Sequence, residues 1–159
     1  MQEHALIYAA WMAQLLTIAL TLWLPARATP PWTRLPALLL GVAALLFLFW
    51  PLFALQRHGR IPPGGSTMET TQVVARGPFA LLRHPQYFGA MLVCGVMALL
   101  NPAPLVLLGA ATAVALFYAY AVQEEGRLLA RFGAAYAAYM ARVPRFNPLL
   151  RPRRPQSES

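Results

Sequence analysis

The sequence contains no lysine, no aspartate and a single cysteine, Cys94. Without lysine there is no Schiff-base chemistry and no lysine-dependent P-loop. Without aspartate there is no catalytic aspartate. One cysteine forms no internal disulfide and cannot build a Cys-rich metal site. Charge is also scarce, at 11% of residues against about 25% in a soluble domain. The apolar content is 58% and the mean hydropathy is +0.50. Too few charges remain to coat a water-exposed globule, and too much apolar surface is present for disorder.

What is present points to a membrane. Ala5–Leu24 is uncharged, with Gln14 its one strongly polar side chain. Its length matches one hydrocarbon core of about 30 Å. Leu35–Leu55 is a second apolar run, Tyr87–Leu100 a shorter third and Pro104–Val122 a fourth. Asn101-Pro102-Ala103-Pro104 reads as a tight turn, so the last two runs form a helical hairpin. The first run is expected to be a span rather than a signal peptide. Its front carries Glu3 and no arginine, and it is too long for an h-region, although Ala26-Arg27-Ala28 loosely mimics a cleavage site. The sequence predicts an all-α integral membrane protein with about four transmembrane helices, a C-terminal helical hairpin and a cytoplasmic amphipathic helix.

The net charge of +8 rests wholly on arginine. With four spans, one side carries Arg57, Arg60, Arg76, Arg83 and the seven arginines after Val122. The other side carries Arg27 and Arg34. The positive-inside rule places the crowded side, with both termini, in the cytoplasm. In a prokaryote that membrane is the plasma (inner) membrane. Nucleic acid is not expected as a partner, because the arginine-rich tail lacks interleaved aromatics. The oligomeric state stays open.

Residues 1–148 read as one membrane domain and 149–159 as a basic tail. Within the domain, two segments carry the chemistry. In 56–86, Pro62-Pro63-Gly64-Gly65-Ser66 breaks any helix, Thr70–Val74 reads as a short extended piece, and Gly77-Pro78 turns the chain. Arg83-His84-Pro85-Gln86-Tyr87 then opens the third run. Proline suits the first turn of a helix, and a helix start offers unpaired N–H groups to an anion. The alternative role for Arg83 and His84 is interfacial anchoring. In the second segment, Gln123–Arg142 reads as one helix continuing from the fourth run. On a helical wheel Leu128, Leu129, Phe132, Tyr136, Tyr139 and Val143 share a face centred on Glu125. Glu124 falls about 100° away, toward Arg127, Arg131 and Arg142. Glu125 is therefore expected to point inward and Glu124 to pair at the surface. His4, His58 and His84 are too scattered for a metal site, so none is expected.

Read in order, Gly77-Pro78-Phe79, Arg83-His84-Pro85-Gln86-Tyr87 with Gly89, Asn101-Pro102, Glu124-Glu125, Phe132-Gly133, Tyr136, Tyr139 and Arg142-Val143-Pro144 form an ordered set. The set resembles the isoprenylcysteine carboxyl methyltransferase family and its relatives among the membrane phospholipid methyltransferases. It covers about residues 70–148; the first two runs match only as generic apolar helices. The resemblance implies S-adenosylmethionine as methyl donor, bound in a cytoplasmic pocket closed by the last hairpin and the C-terminal helix. It implies a lipid-like or apolar acceptor bearing a carboxylate, amine or thiol. It makes Arg83, His84, Pro85, Gln86 and Tyr87 cofactor contacts, Thr71, Val73 and Val74 pocket lining, and Phe79 an aromatic neighbour. It selects Glu124 as the cofactor-binding glutamate, whereas the wheel selects Glu125; a kink at the end of the fourth run would reconcile them. Prenylcysteine-methylating members carry an arginine one turn before this glutamate, where it is thought to meet the substrate carboxylate. Here Tyr120 takes that substrate-side position, a departure from the prenylcysteine pattern. No residue is identified as catalytic. The competing readings are an NADPH-dependent membrane reductase of the sterol-reductase type and a non-enzymatic membrane scaffold.

Overall fold

The computed structural model describes residues 4–25, 29–59 and 72–147. Thr71, Arg60, the 62–66 breaker, the Ala26-Arg27-Ala28 triplet and the basic tail lie outside the described residues. The described chain is helical, with no strand: α1 (Ala5–Trp23), α2 (Arg34–His58), α3 (Pro85–Leu100), α4 (Pro104–Phe132) and α5 (Ala134–Met140). Short 3₁₀ turns cover Pro31–Thr33 and Gly77–Ala80. Of the segment expected to be extended, Gln72–Val74 is described and is irregular.

Three helices, α1, α2 and α4, are long and apolar enough to cross a membrane. α3 has 16 residues, about 24 Å of rise, and falls short of a full crossing. Pro51 sits inside α2, as membrane helices tolerate.

The chain packs as two compact units. One comprises 1–46 and 87–123, the other 47–86 and 124–159. In the first unit many of the buried positions are small, Ala10, Ala37, Ala44, Ala90, Ala110 and Ala113 among them, beside the larger Val106, Phe117 and Tyr120. Many of its large apolar side chains, Leu15, Leu16, Leu38, Leu39 and Leu108 among them, are exposed. Small residues let helix backbones approach where no hydrophobic driving force exists between helices, and the large ones suit lipid. Gly109 shows how close the approach is, because a Cβ there would stand 2.5 Å from Thr17 Oγ1. The polar groups of the apolar runs are used locally. Gln14 Nε2 donates to Ala90 O (3.2 Å), and Asn101 Nδ2 lies 3.3 Å from both Thr21 O and Leu24 O.

The second unit holds the end of α2, the Gly77–Ala80 turn, the first residues of α3, the end of α4, and α5. Gly77 has φ +60°, and its α-carbon faces Ala54 and Trp50. The expected single helix over Gln123–Arg142 is interrupted. Gly133 adopts φ +53° and separates α4 from α5. Leu129, expected on the buried face, is 42% exposed within the straight part of α4, while Tyr136, Tyr139 and Val143, beyond the break, form a buried cluster as expected. α4 runs unbroken through Glu124 and Glu125 to Phe132, so no kink separates the two glutamates.

Candidate functional site

The second unit contains a partly open cavity, about 420 Å³ counting the solvent space at its mouth, walled by Leu55, Gln72, Val73, Val74, Phe79, Arg83, Leu128, Phe132, Tyr136 and Tyr139. The wall is apolar and aromatic because α4 ends by presenting Leu128 and Phe132, and α5 restarts with Tyr136 and Tyr139. The Tyr139 hydroxyl donates to Phe79 O (2.7 Å), which ties α5 to the Gly77–Ala80 turn. Gln72 Nε2 donates to His58 O (2.6 Å) and fixes the entry of the Val73–Val74 segment against α2.

Arg83 joins this cavity to a buried charge cluster. Glu125 is 4% exposed. Its Oε2 accepts from Arg145 Nη2 (2.6 Å), and its Oε1 accepts from Arg145 Nε (2.9 Å) and His84 Nε2 (3.2 Å). Arg83 Nη1 stands 2.8 Å from the same Oε1. That contact is an ion pair by distance without hydrogen-bond alignment, because Arg83 Nη1 and Nε are buried and make no hydrogen bond. The other imidazole nitrogen, His84 Nδ1, stands 3.2 Å from Glu124 Oε2.

A carboxylate only accepts, so an imidazole whose two nitrogens both face carboxylates fits as the doubly protonated cation. Burial opposes that charge, but the hydrogen bonds and charges of Glu124 and Glu125 outweigh it and raise the His84 pKa. Glu125 lies beyond Val122, where the apolar run ends. Burial pushes its pKa up, yet Arg145, His84 and Arg83 overcome this and hold it at about 2. The cluster is thus two carboxylates facing one imidazolium and two guanidiniums.

Val73, Val74, Phe79 and Arg83 line the cavity, whereas His84, Glu124 and Glu125 form the cluster behind Arg83. Both glutamates face the one imidazole ring, through different nitrogens, so consecutive residues on a straight helix serve together. Glu125 points inward as the wheel required, and Glu124 is the more exposed of the two, with a side chain 27% accessible. Pro85 is the first residue of α3 and is buried. His84 is buried and Arg83 largely so, with a side chain 12% accessible. Tyr87 and Tyr120 belong to the first unit, where they meet edge to face at 5.6 Å; neither lines the cavity. Arg145 was not singled out by the sequence, where it reads as one of the seven arginines after Val122. Its neighbours Pro144 and Phe146 also reach the cluster: Arg83 N donates to Pro144 O (2.9 Å), and the Phe146 ring lies 5.9 Å from that of His84.

Among the described residues no group of histidine, cysteine and acidic side chains is arranged to hold a metal ion. Searches of curated proteins and of solved structures return no match. A model of the phospholipid methyltransferase family matches residues 32–135, well over half of the chain and spanning most of the cavity wall and both glutamates. The chain therefore belongs to the phospholipid methyltransferase family and is a membrane methyltransferase by that membership.

Proposed function

We propose that the protein is an S-adenosylmethionine-dependent methyltransferase of the membrane, transferring a methyl group to a lipid-like acceptor. The observation that carries this reading is the apolar, aromatic cavity lined by Arg83, whose buried Nε and Nη1 make no hydrogen bond. The donor set fits the cofactor. S-adenosylmethionine carries a carboxylate, which suits Arg83 and the N–H groups at the start of α3. Its adenine and sulfonium suit walls of Phe79, Phe132, Tyr136 and Tyr139. Its amine or ribose hydroxyls suit Glu124, whose contact with His84 leaves its second oxygen to spare. Glu125 has both oxygens committed to the chain's own cations and serves as an anchor. When bound, the cofactor supplies an electrophilic methyl group on a positive sulfur.

The residues favour one kind of acceptor. In-line methyl transfer needs positioning and a dry pocket more than proton transfer. His84, held as a cation, is a poor general base, and Glu125 is engaged. The acceptor therefore arrives with its lone pair available, as an ionised carboxylate or a neutral amine does. The membrane-length helices and the family favour a lipid bearing that group. Both termini and the cavity belong, in this reading, on the cytoplasmic side.

Calorimetric titration of the detergent-purified protein with S-adenosylhomocysteine, with NADPH in parallel, tests the proposal. Binding of S-adenosylhomocysteine alone is the expected result. Binding of NADPH alone would move the chain to reductase chemistry, and binding of neither would sink the cofactor assignment.

A further inference from the structure

The Glu125 carboxylate shows an imbalance between its two oxygens. Oε1 has three cationic nitrogens within 3.2 Å, from Arg145, His84 and Arg83. A carboxylate oxygen offers two lone pairs. Arg145 Nε and His84 Nε2 take them, and Arg83 Nη1, although at 2.8 Å, is left without alignment. Arg145 grips both oxygens at once, in the fork geometry that arginine makes with carboxylates. Its backbone is held in place from both sides, by the Arg83 N to Pro144 O bond and by Phe146 against His84.

We infer that Arg145 is a positioning residue that occupies the hydrogen-bonding capacity of Glu125 and so keeps the Arg83 donors free for the anionic end of a ligand in the adjoining cavity. Glu125 still attracts Arg83 electrostatically and holds it beside the cavity, but does not consume its N–H groups. Without Arg145, the Arg83 guanidinium would turn onto Glu125 in the same two-pronged fashion and be lost to the ligand. Glu125 faces Arg83 directly and is shared with His84 and Arg145; His84 also meets Glu124, and Tyr136 lines the same cavity as Arg83. The inference rests on the cofactor reading for the identity of the ligand, and on the cluster geometry alone for the state of Arg83.

The test uses two readouts on the full chain in detergent. The first needs no ligand: the side-chain Nε–H signal of Arg83 by ¹⁵N NMR, assigned by its loss in Arg83→Lys. In Arg145→Ala that signal is expected to move to the position of a carboxylate-bonded guanidinium, with Arg145→Lys intermediate because a lysine fills one slot and not two. The second compares S-adenosylhomocysteine with methylthioadenosine, which lacks the amino-acid carboxylate. Wild type should prefer the former, and Arg145→Ala should lose about tenfold of its affinity while methylthioadenosine binds as before, with Arg145→Lys in between. An unchanged Arg83 signal in both Arg145 variants overturns the inference, whatever binds. A shifted signal with the ligand preference intact overturns it as well. If wild type binds neither nucleoside but the signal shifts as expected, the control of Arg83 by Arg145 stands and the cofactor reading fails.

Discussion

At the scale of single residues, the charge on His84 is set by what its two nitrogens face. Because both meet carboxylates, its pKa is raised above the ordinary 6.5. A raised histidine pKa contributes stability that is complete below the unfolded value and is lost as pH climbs through the folded one. The thermal midpoint of wild type should therefore fall as pH rises above neutrality, and His84→Gln should flatten that alkaline slope. Glu125 works in the opposite direction. Its contribution is complete above its ordinary 4.5 and is lost as pH falls toward about 2. The two glutamates should also separate by mutation. Glu125→Gln leaves the Arg83 and Arg145 guanidiniums, 12% and 26% accessible, short of their carboxylate and should cost about 3 kcal/mol in denaturant unfolding. Glu124→Gln, at a partly exposed position, should cost about 1 kcal/mol or less and yet weaken S-adenosylhomocysteine binding. Equal stability costs for the two would contradict the division between anchor and ligand-facing carboxylate.

Whole elements are placed by two glycines, each for a different reason. Gly133 ends α4 with φ +53° and ψ −129°, a region close to glycine-only, which an L side chain enters at a cost of about 1–3 kcal/mol. Nothing lies within 4 Å of a Cβ built there, so Gly133→Ala tests backbone strain alone, read as a loss of that size in unfolding free energy. Gly109 is a matter of space. Its Cβ would meet Thr17 Oγ1 at 2.5 Å, and that hydroxyl is already committed to Ala13 O at 2.7 Å. Gly109→Ala should destabilise by about 1–3 kcal/mol. In the Thr17→Ala background the cost should shrink, giving a measurable coupling energy in a double-mutant cycle. Additive effects would mean that α1 and α4 yield easily at this crossing.

At the scale of the molecule, the first unit turns its leucines outward: alanines and polar groups are buried beside Val106, Phe117 and Tyr120, and leucines are exposed along it. This is the pattern of helices solvated by lipid. The arginine asymmetry adds a direction, from which the proposed orientation follows. A green fluorescent reporter fused after Ser159 should fluoresce in cells, and an export-dependent phosphatase at the same place should stay inactive. The reverse pair of results would turn the molecule over and move the proposed site to the opposite side of the bilayer.

The sequence by itself determined the helices, because membrane spans are written in uninterrupted apolar runs and their ends in proline and asparagine. The starts at Ala5, Pro85 and Pro104 were legible for that reason, as was the shortness of α3. The family was legible in the ordered set from Gly77 to Pro144, which the phospholipid methyltransferase match over 32–135 supports. Only the tertiary structure decided how the charges are shared. A wheel assumes one straight helix and so carried past Gly133, where a positive φ divides α4 from α5; it also placed Leu129 inside, although that side chain sits at the exposed edge of the face. The choice between Glu124 and Glu125 seemed exclusive because their directions differ by about 100°; an imidazole ring has two nitrogens and accommodates both. Arg145 left no mark among thirteen arginines. Its role depends on the chain returning, twenty residues after Glu125, to lay a fork across that one carboxylate, and no local pattern encodes such a return.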